Sequence, residues 1–243
     1  MTIRIPFLDP QHSDEFPPVE NALREPDGLL AGGGDLSPER LLAAYRRGIF
    51  PWYSRGQPIL WWSPDPRTVF MTDRMHVPRR LARWLRSCAW TIRADTAFET
   101  VVRACAAPRA GQRGTWIDLA MRKAYLRLHE LGFAHSIEAW DGDALAGGIY
   151  GVSIGRMFFG ESMFSAADNG SKVALLALAR ALHGWDYPLL DAQVASPHLF
   201  TLGAREIGRS DFSARVAALS AQRGLEGPWR DTFPRLAPAE LAT

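Results

Sequence analysis

"HSIEAWDGDALAGGIYGVSIGRMFFGESMFS", residues 135–165, decides the fold. It divides into three strand-like runs, with turn signals at Asp141 and Gly142 and again at residues 153–155. Apolar runs separated by so few turn residues predict an antiparallel meander. Outward from it, periodicity switches between two and 3.6. On the N-terminal side "AWTIRAD" alternates like a strand and "DTAFETVVRACAA" reads as a helix. After "GTWID", Asp118 can cap a helix with Met121, Tyr125 and Leu128 on one face and a stop at Gly132. On the C-terminal side "DNGSKVALLALARALHGW" is a long apolar-faced helix, whose start at Asn169 and Ser171 offers backbone N–H groups to an anion or a carbonyl. "YPLLDAQVAS" is then a buried strand that places Asp191 and Gln193 two residues apart, hence on one face. The predicted class is α+β, with a mixed, largely antiparallel sheet flanked by helices.

The first part of the chain has a different texture. "FPPVENALREPDGLLAGGGDLSPERLLAAYRRGIFPW" begins extended and turns at Gly32, Gly33 and Gly34. It enters a short helix with Ser37 as N-cap, Pro38 at the first position, and Leu41, Leu42 and Tyr45 on one face, ending at Gly48. "GIFPWYSRGQPILWWSPDPR", residues 48–67, follows as a proline-stiffened loop with Trp52, Trp61 and Trp62. So many rings on a rigid stretch make either a core plug or a platform for stacking. The natural division falls near "SPDPR": a small N-terminal domain over 1–65 and a larger one over 66–243. Just beyond it, "VPRRLARWLRSC" reads as a helix from Pro78, with Leu81, Trp84, Leu85 and Cys88 inward and Arg79, Arg80, Arg83 and Arg86 outward.

Composition narrows the classes. The 243 residues carry a net charge of +2, and all but Lys123 and Lys172 of the basic residues are arginine. Overall charge therefore does not mark a nucleic-acid binder, and the arginine helix is the one dense basic cluster. No apolar run approaches a membrane span, and the first residues lack the apolar stretch of a secretion signal, so a cytoplasmic protein is expected. Cys88 and Cys105 are too few for a disulfide framework and have no metal-ligand spacing with histidine.

The order strand, helix, meander, helix, strand resembles the core of acyl-CoA-dependent N-acetyltransferases (the GNAT fold), in which two central strands splay and the donor enters between them. Four longer segments resemble one family closely. "LREPDGLLAGGGDLSPERLLAAYRRGIFPWYS", "PILWWSPDPR", "GTWI" with "AYLRLHELGFAHSIE", and "GGIYGVSIGRMFFGESMFS" followed by "SK" and "LLDAQV" are similar to bacterial leucyl/phenylalanyl-tRNA–protein transferases. The likeness runs from about Phe16 to about Asp211. It implies transfer of Leu or Phe, or Met, from aminoacyl-tRNA to an N-terminal Arg or Lys of a protein, creating an N-terminus that marks the protein for degradation. It also implies a small N-terminal domain on an acetyltransferase-like one.

An aminoacyl ester is already activated, so such a reaction asks for no metal, cofactor or covalent nucleophile, only a positioned amine that loses a proton. The resemblance assigns this step to Asp191 and Gln193; Asp191 would polarise the Gln193 side-chain amide, or both would merely orient the amine. Glu161 is the acid expected to meet the acceptor's cationic residue. Ile149, Phe158, Met163 and Leu175 are candidates for the aminoacyl side-chain pocket. Trp52 and Trp116 match the positions that hold the 3′-terminal adenosine, with Tyr45 and Tyr125 as adjacent aromatic candidates. Trp61 and Trp62 are expected to anchor the loop to the larger domain. The four arginines would contact acceptor-stem phosphates. A monomer is expected. Three rivals are weighed, and one of them, a transferase that uses arginyl-tRNA on acidic N-termini, has different motifs, while Glu161 would repel its acidic acceptor. An acyl-CoA N-acetyltransferase would want a glycine-rich pyrophosphate turn, which "SAADNGSK" does not match. A non-catalytic tRNA-binding module would not need Asp191, Gln193 and Glu161 together.

Overall fold

The computed structural model describes residues 4–54, 56–108 and 117–242. In chain order the elements are β1 (Phe7–Leu8), β2 (Leu29–Gly33), α1 (Pro38–Tyr45), β3 (Phe50–Pro51), β4 (Leu60–Trp62), β5 (Arg67–Met71), α2 (Arg79–Ser87), β6 (Thr91–Ala94) and α3 (Phe98–Cys105). They continue with α4 (Leu119–Glu130), β7 (Ala134–Asp141), β8 (Ala144–Ile154), β9 (Met157–Ser165), α5 (Gly170–Gly184), β10 (Leu189–Gln193), α6 (Pro197–Phe200), β11 (Arg205–Ile207) and α7 (Arg209–Ser220). The helix starts follow from local chemistry. Ser37 Oγ accepts the Arg40 N–H at α1, and Asp118 Oδ1 accepts the Met121 N–H at 2.8 Å at α4.

Two sheets share the strands. A small one has the order β1-β2-β4-β3, and a seven-stranded one the order β11-β5-β10-β9-β8-β7-β6. The proline-rich stretch expected as a loop is therefore a hairpin arm of the small sheet, with Pro51 opposite Trp61. Proline is tolerated there because β3 is an edge strand. Trp61 is fully buried, donates its indole N–H to the Gly33 carbonyl at 2.9 Å and meets the Phe16 ring edge-on. Trp62 donates to the Trp52 carbonyl at 2.6 Å and packs against the Trp52 ring. Their hydrogen bonds stay within the small sheet, where β4 pairs on both sides, while the two rings pack in the apolar cluster that the small sheet shares with the large one.

In the large sheet β7, β8 and β9 form the predicted meander, and only β9 and β10 run parallel. Alternate residues feed two apolar clusters, one on each face. Tyr150, Val152 and Phe159 join α1, α3, α4 and the small sheet, whereas Ile149, Phe158 and Leu190 join α2 and α5. The start of α5 sits hard on β8. A Cβ on Gly147 would fall 2.3 Å from the Gly170 backbone, so both positions exclude any side chain. Among the described residues no helix is long and apolar enough to cross a membrane.

Two irregularities shape the centre. Tyr150 pairs with Ser162 but Gly151 with Gly160, so Glu161 is an extra residue, a β-bulge in β9. The β9–β10 ladder ends at the pair Phe159 and Asp191, and residues 160–165 continue on β8 alone. The two strands part where the bulge begins.

Candidate active site

Three buried polar groups converge where β9 and β10 part. Asp191, fully buried on β10, receives Arg67 of β5 in a two-pronged contact, Nε to Oδ1 at 2.8 Å and Nη2 to Oδ2 at 2.6 Å. The third guanidinium nitrogen donates to the Gly48 carbonyl at 3.1 Å. The guanidinium plane lies between the rings of Phe50 and Phe212, at 4.7 and 4.5 Å from their centroids. Gly48 makes this packing possible: its φ is +71°, and a Cβ there would reach within 2.8 Å of the Phe212 ring. Arg67 thus joins the small sheet, the large sheet and α7 around one anion.

Gln193 follows in an uncommon backbone state. Its φ is +62°, and the Val194 N–H donates back to the Ala192 carbonyl at 2.8 Å, a tight turn centred on Gln193. A non-glycine residue in this region costs about 1–3 kcal/mol and persists where surrounding bonds hold it. Here the Gln193 N–H donates to Asp191 Oδ1 at 2.9 Å and the side-chain Nε2 to Glu161 Oε1 at 2.7 Å. The expected polarisation of the Gln193 side chain by Asp191 is therefore not what is found. Asp191 is saturated by Arg67 and takes only the backbone N–H, while the amide turns to Glu161.

Glu161 is buried without a cation. The Tyr45 hydroxyl of α1 lies 2.7 Å from Oε1, the Tyr125 hydroxyl of α4 lies 2.5 Å from Oε2, and the two hydroxyls are 2.6 Å apart. Burial pushes the Glu161 acid up to about 7; the Tyr125 and Tyr45 bonds oppose the rise and the charge on Asp191 adds to it. Burial and the Glu161 charge in turn raise both phenols well above their ordinary range. Tyr45 and Tyr125 are thus corrected as adenosine candidates, since both are fully buried and neither ring has a face open to a base. Their rings pack on Phe159 and Tyr150, respectively.

The other expected residues scatter. Trp52 stands out at 42% exposed, backed by Trp62. Trp116 lies outside the described residues. Tyr53, next to Trp52, reaches Asp118 at the head of α4, the helix that carries Tyr125 about 10 Å further along. Ile149 and Met163 are a cross-strand pair in the cluster under α5, on the face away from Glu161. Phe158, against Trp229, and Leu175 are buried members of that core. The α5 start is not the open amide cradle expected. Gly170 N–H is bonded to the Ala167 carbonyl and Ser171 N–H to Ser165 Oγ, while the Asn169 side chain holds Lys172. Arg79, Arg80, Arg83 and Arg86 are exposed on one side of α2, and among the described residues none has an acidic partner. Among the described residues no cluster of His, Cys, Asp and Glu could hold a metal ion.

Sequence reasoning missed Arg67 and Phe212. A single arginine opening the apolar run "RTVFM" was the available signal for the first, because a cation in a buried strand demands an anion. Nothing local marked Phe212.

The sequence pattern described as "Leucyl/phenylalanyl-tRNA protein transferase" matches residues 69–217, and that of its N-terminal domain matches residues 34–65. Proteins named leucyl/phenylalanyl-tRNA–protein transferase are similar over nearly the whole chain. The one from Xanthomonas euvesicatoria pv. vesicatoria is 63% identical over 94% of this chain and 92% of its own. Those from Xanthomonas axonopodis pv. citri and Xylella fastidiosa are 60% and 57% identical, over 96% and 97% of this chain and 94% and 97% of theirs. Among solved structures, a conserved protein of unknown function from Staphylococcus epidermidis is 10% identical with a TM-score of 0.37, over 74% of this chain and 68% of that one. L-PGS from Bacillus licheniformis is 9% identical with the same score, over 70% and 57%.

Proposed function

The chain belongs to the leucyl/phenylalanyl-tRNA protein transferase family, and from that premise we propose how its centre moves an aminoacyl group from tRNA to a protein. The protein is an aminoacyltransferase that uses aminoacyl-tRNA. Our finer reading is that Leu or Phe is transferred to an N-terminal Arg or Lys of the acceptor, marking it for degradation, and that a monomer in the cytoplasm does this.

The observation that carries the reading is Gln193, held in a left-handed turn with its amide nitrogen on Glu161. That contact turns the amide oxygen away from Glu161, leaving it to accept a hydrogen from an incoming amine. The amine attacks the ester carbonyl, the nitrogen sheds one proton, and the 3′-oxygen of the leaving tRNA gains one, so the step is balanced without an outside reactant. Asp191 is a positioning residue here, fixing the Gln193 backbone while Arg67 fixes Asp191. The end of the β9–β10 ladder supports a gap that admits the ester, in the manner of an acetyltransferase-like domain over 66–243, with 1–65 as the small domain. On this reading Ile149 and Met163 line the side-chain pocket on the α5 face, with Phe158 and Leu175 behind them. Trp52 stacks on the terminal adenosine, with Trp116 as its partner, and the α2 arginines meet stem phosphates.

The test is transfer itself. With Phe-tRNA or Leu-tRNA and a peptide beginning with Arg, mass spectrometry should show one residue added at the peptide N-terminus. Gln193→Ala should lose most of the rate with tRNA affinity intact. A Gln193→Ala rate equal to the wild type sinks the assignment of the amine to Gln193. The acyl-CoA alternative would show as acetylation of the same peptide with acetyl-CoA.

A further inference from the structure

The triangle of Glu161, Tyr45 and Tyr125 has a hydrogen count that speaks to its charge. Its three oxygen–oxygen contacts are 2.7, 2.5 and 2.6 Å. Each needs a hydrogen inside it, because bare lone pairs facing each other at such distances repel. Two phenols bring two hydrogens. Gln193 Nε2 donates to Oε1 from outside the triangle and adds none to its sides. The third side must draw on the carboxyl group, and the ring closes in either sense once Glu161 carries a proton.

We propose that Glu161 stands in the resting protein as a neutral carboxylic acid whose proton completes a ring with Tyr45 and Tyr125, and that this ring positions Gln193. The surroundings agree. Glu161 is faced by Tyr45 of α1, Tyr125 of α4, Tyr150 of β8 with Cys105 of α3 beside it, and Asp191 and Gln193 of β10. No cation is among them, and the one anion, Asp191, already has Arg67. Burial holds the acid at about 7, so the protonated form prevails below neutrality.

This departs from a carboxylate that attracts the acceptor's cationic residue, because both oxygens are occupied and the ring needs a proton rather than a charge. A glutamine at position 161 would be a fair replacement, since its NH2 group supplies the third hydrogen. The consequence for rate rests on the reading of Gln193 as partner of the amine. The consequence for protonation does not.

Infrared difference spectra of the free protein between about pH 5.5 and about pH 9 test the protonation directly. A protonated-carboxyl C=O band should be present at the acid end, vanish with a midpoint near about 7, and be missing in Glu161→Gln. In Tyr125→Phe the midpoint should move upward, because a donor that stabilises the carboxylate is gone. Should Glu161→Gln not fold, isotope-labelled glutamate and the Tyr125→Phe displacement assign the band instead. In single-turnover transfer the wild-type rate should decline as pH rises past about 7 and the ring loses its proton; Glu161→Gln should stay within about tenfold of the wild type without that decline, while Glu161→Ala falls more than about a hundredfold. A wild-type spectrum without the band, or a midpoint unmoved in Tyr125→Phe, overturns the ring. Equal losses in Glu161→Gln and Glu161→Ala overturn its positioning role. A wild type that transfers nothing counts against the transferase reading alone, and the band still decides the ring.

Discussion

Asp191 and Glu161 are two buried carboxyl groups that hold the same residue by opposite means. Asp191 takes the Gln193 backbone N–H and is neutralised by a guanidinium wedged between two phenylalanines. Glu161 takes the Gln193 side-chain amide and has only phenols and that amide around it. Breaking a buried ion pair costs much, because the partner left behind is an uncompensated charge, so the pair suits a fixed frame. An unpaired one is pushed toward neutrality, so it suits a place where protons come and go. Gln193 is strung between the two.

The largest effect expected on this contrast comes from Arg67→Met, which strands Asp191 as a buried anion. Urea unfolding at neutral pH should show about 3–5 kcal/mol lost, and Arg67→Met with Asp191→Leu should recover most of it. A loss under about 1 kcal/mol would mean that the frame does not depend on the pair. Glu161→Gln should act in the other direction. The acid rises from an ordinary 4.5 to about 7 on folding, so between those values the folded protein binds more protons than the unfolded chain. Stability therefore falls as pH rises through this window, by about 3 kcal/mol once above it. Thermal unfolding should find Glu161→Gln more stable than the wild type at about pH 8 and level with it near about pH 4.5. An advantage that does not depend on pH would erase the contrast between the two acids. Tyr45→Phe should cost about 1 kcal/mol of stability, the worth of one buried hydrogen bond. Outside both sites, Trp52→Ala should shift stability within about 0.5 kcal/mol while weakening aminoacyl-tRNA binding by about 1–3 kcal/mol. Fluorescence titration with charged tRNA at fixed salt measures the second number.

The meander, the long α5 helix and the caps at Ser37 and Asp118 could be read from the sequence because each rests on local periodicity or a side chain bonding its own backbone. The centre was legible only as residue types. Glu161 and Met163 are two apart, so strand periodicity puts them on one face, yet the bulge at Glu161 sends them to opposite faces. A bulge leaves no signature in composition, so nothing local places Met163 on the face opposite Glu161, whereas Phe158, three residues from Glu161, lies on that face by plain alternation. Tyr45 and Tyr125 are separated by 80 positions, and only the packing of α1 against α4 turns two aromatic candidates into a pair of hydroxyls on one acid. The start of α5 differs from its sequence expectation in the same way, because Ser165, which takes the Ser171 N–H, belongs to the strand before.

Pro51 has a consequence beyond the geometry of its hairpin. It sits on the outer strand of the small sheet, beside a tryptophan that projects into solvent. An open strand margin next to an exposed ring would invite self-association, but both β3 residues are buried, so little of this margin is open to a strand from another molecule. Proline leaves that margin one donor short, so it makes a poor template. The exposed ring of Trp52 therefore has no ready strand edge beside it for another molecule to extend.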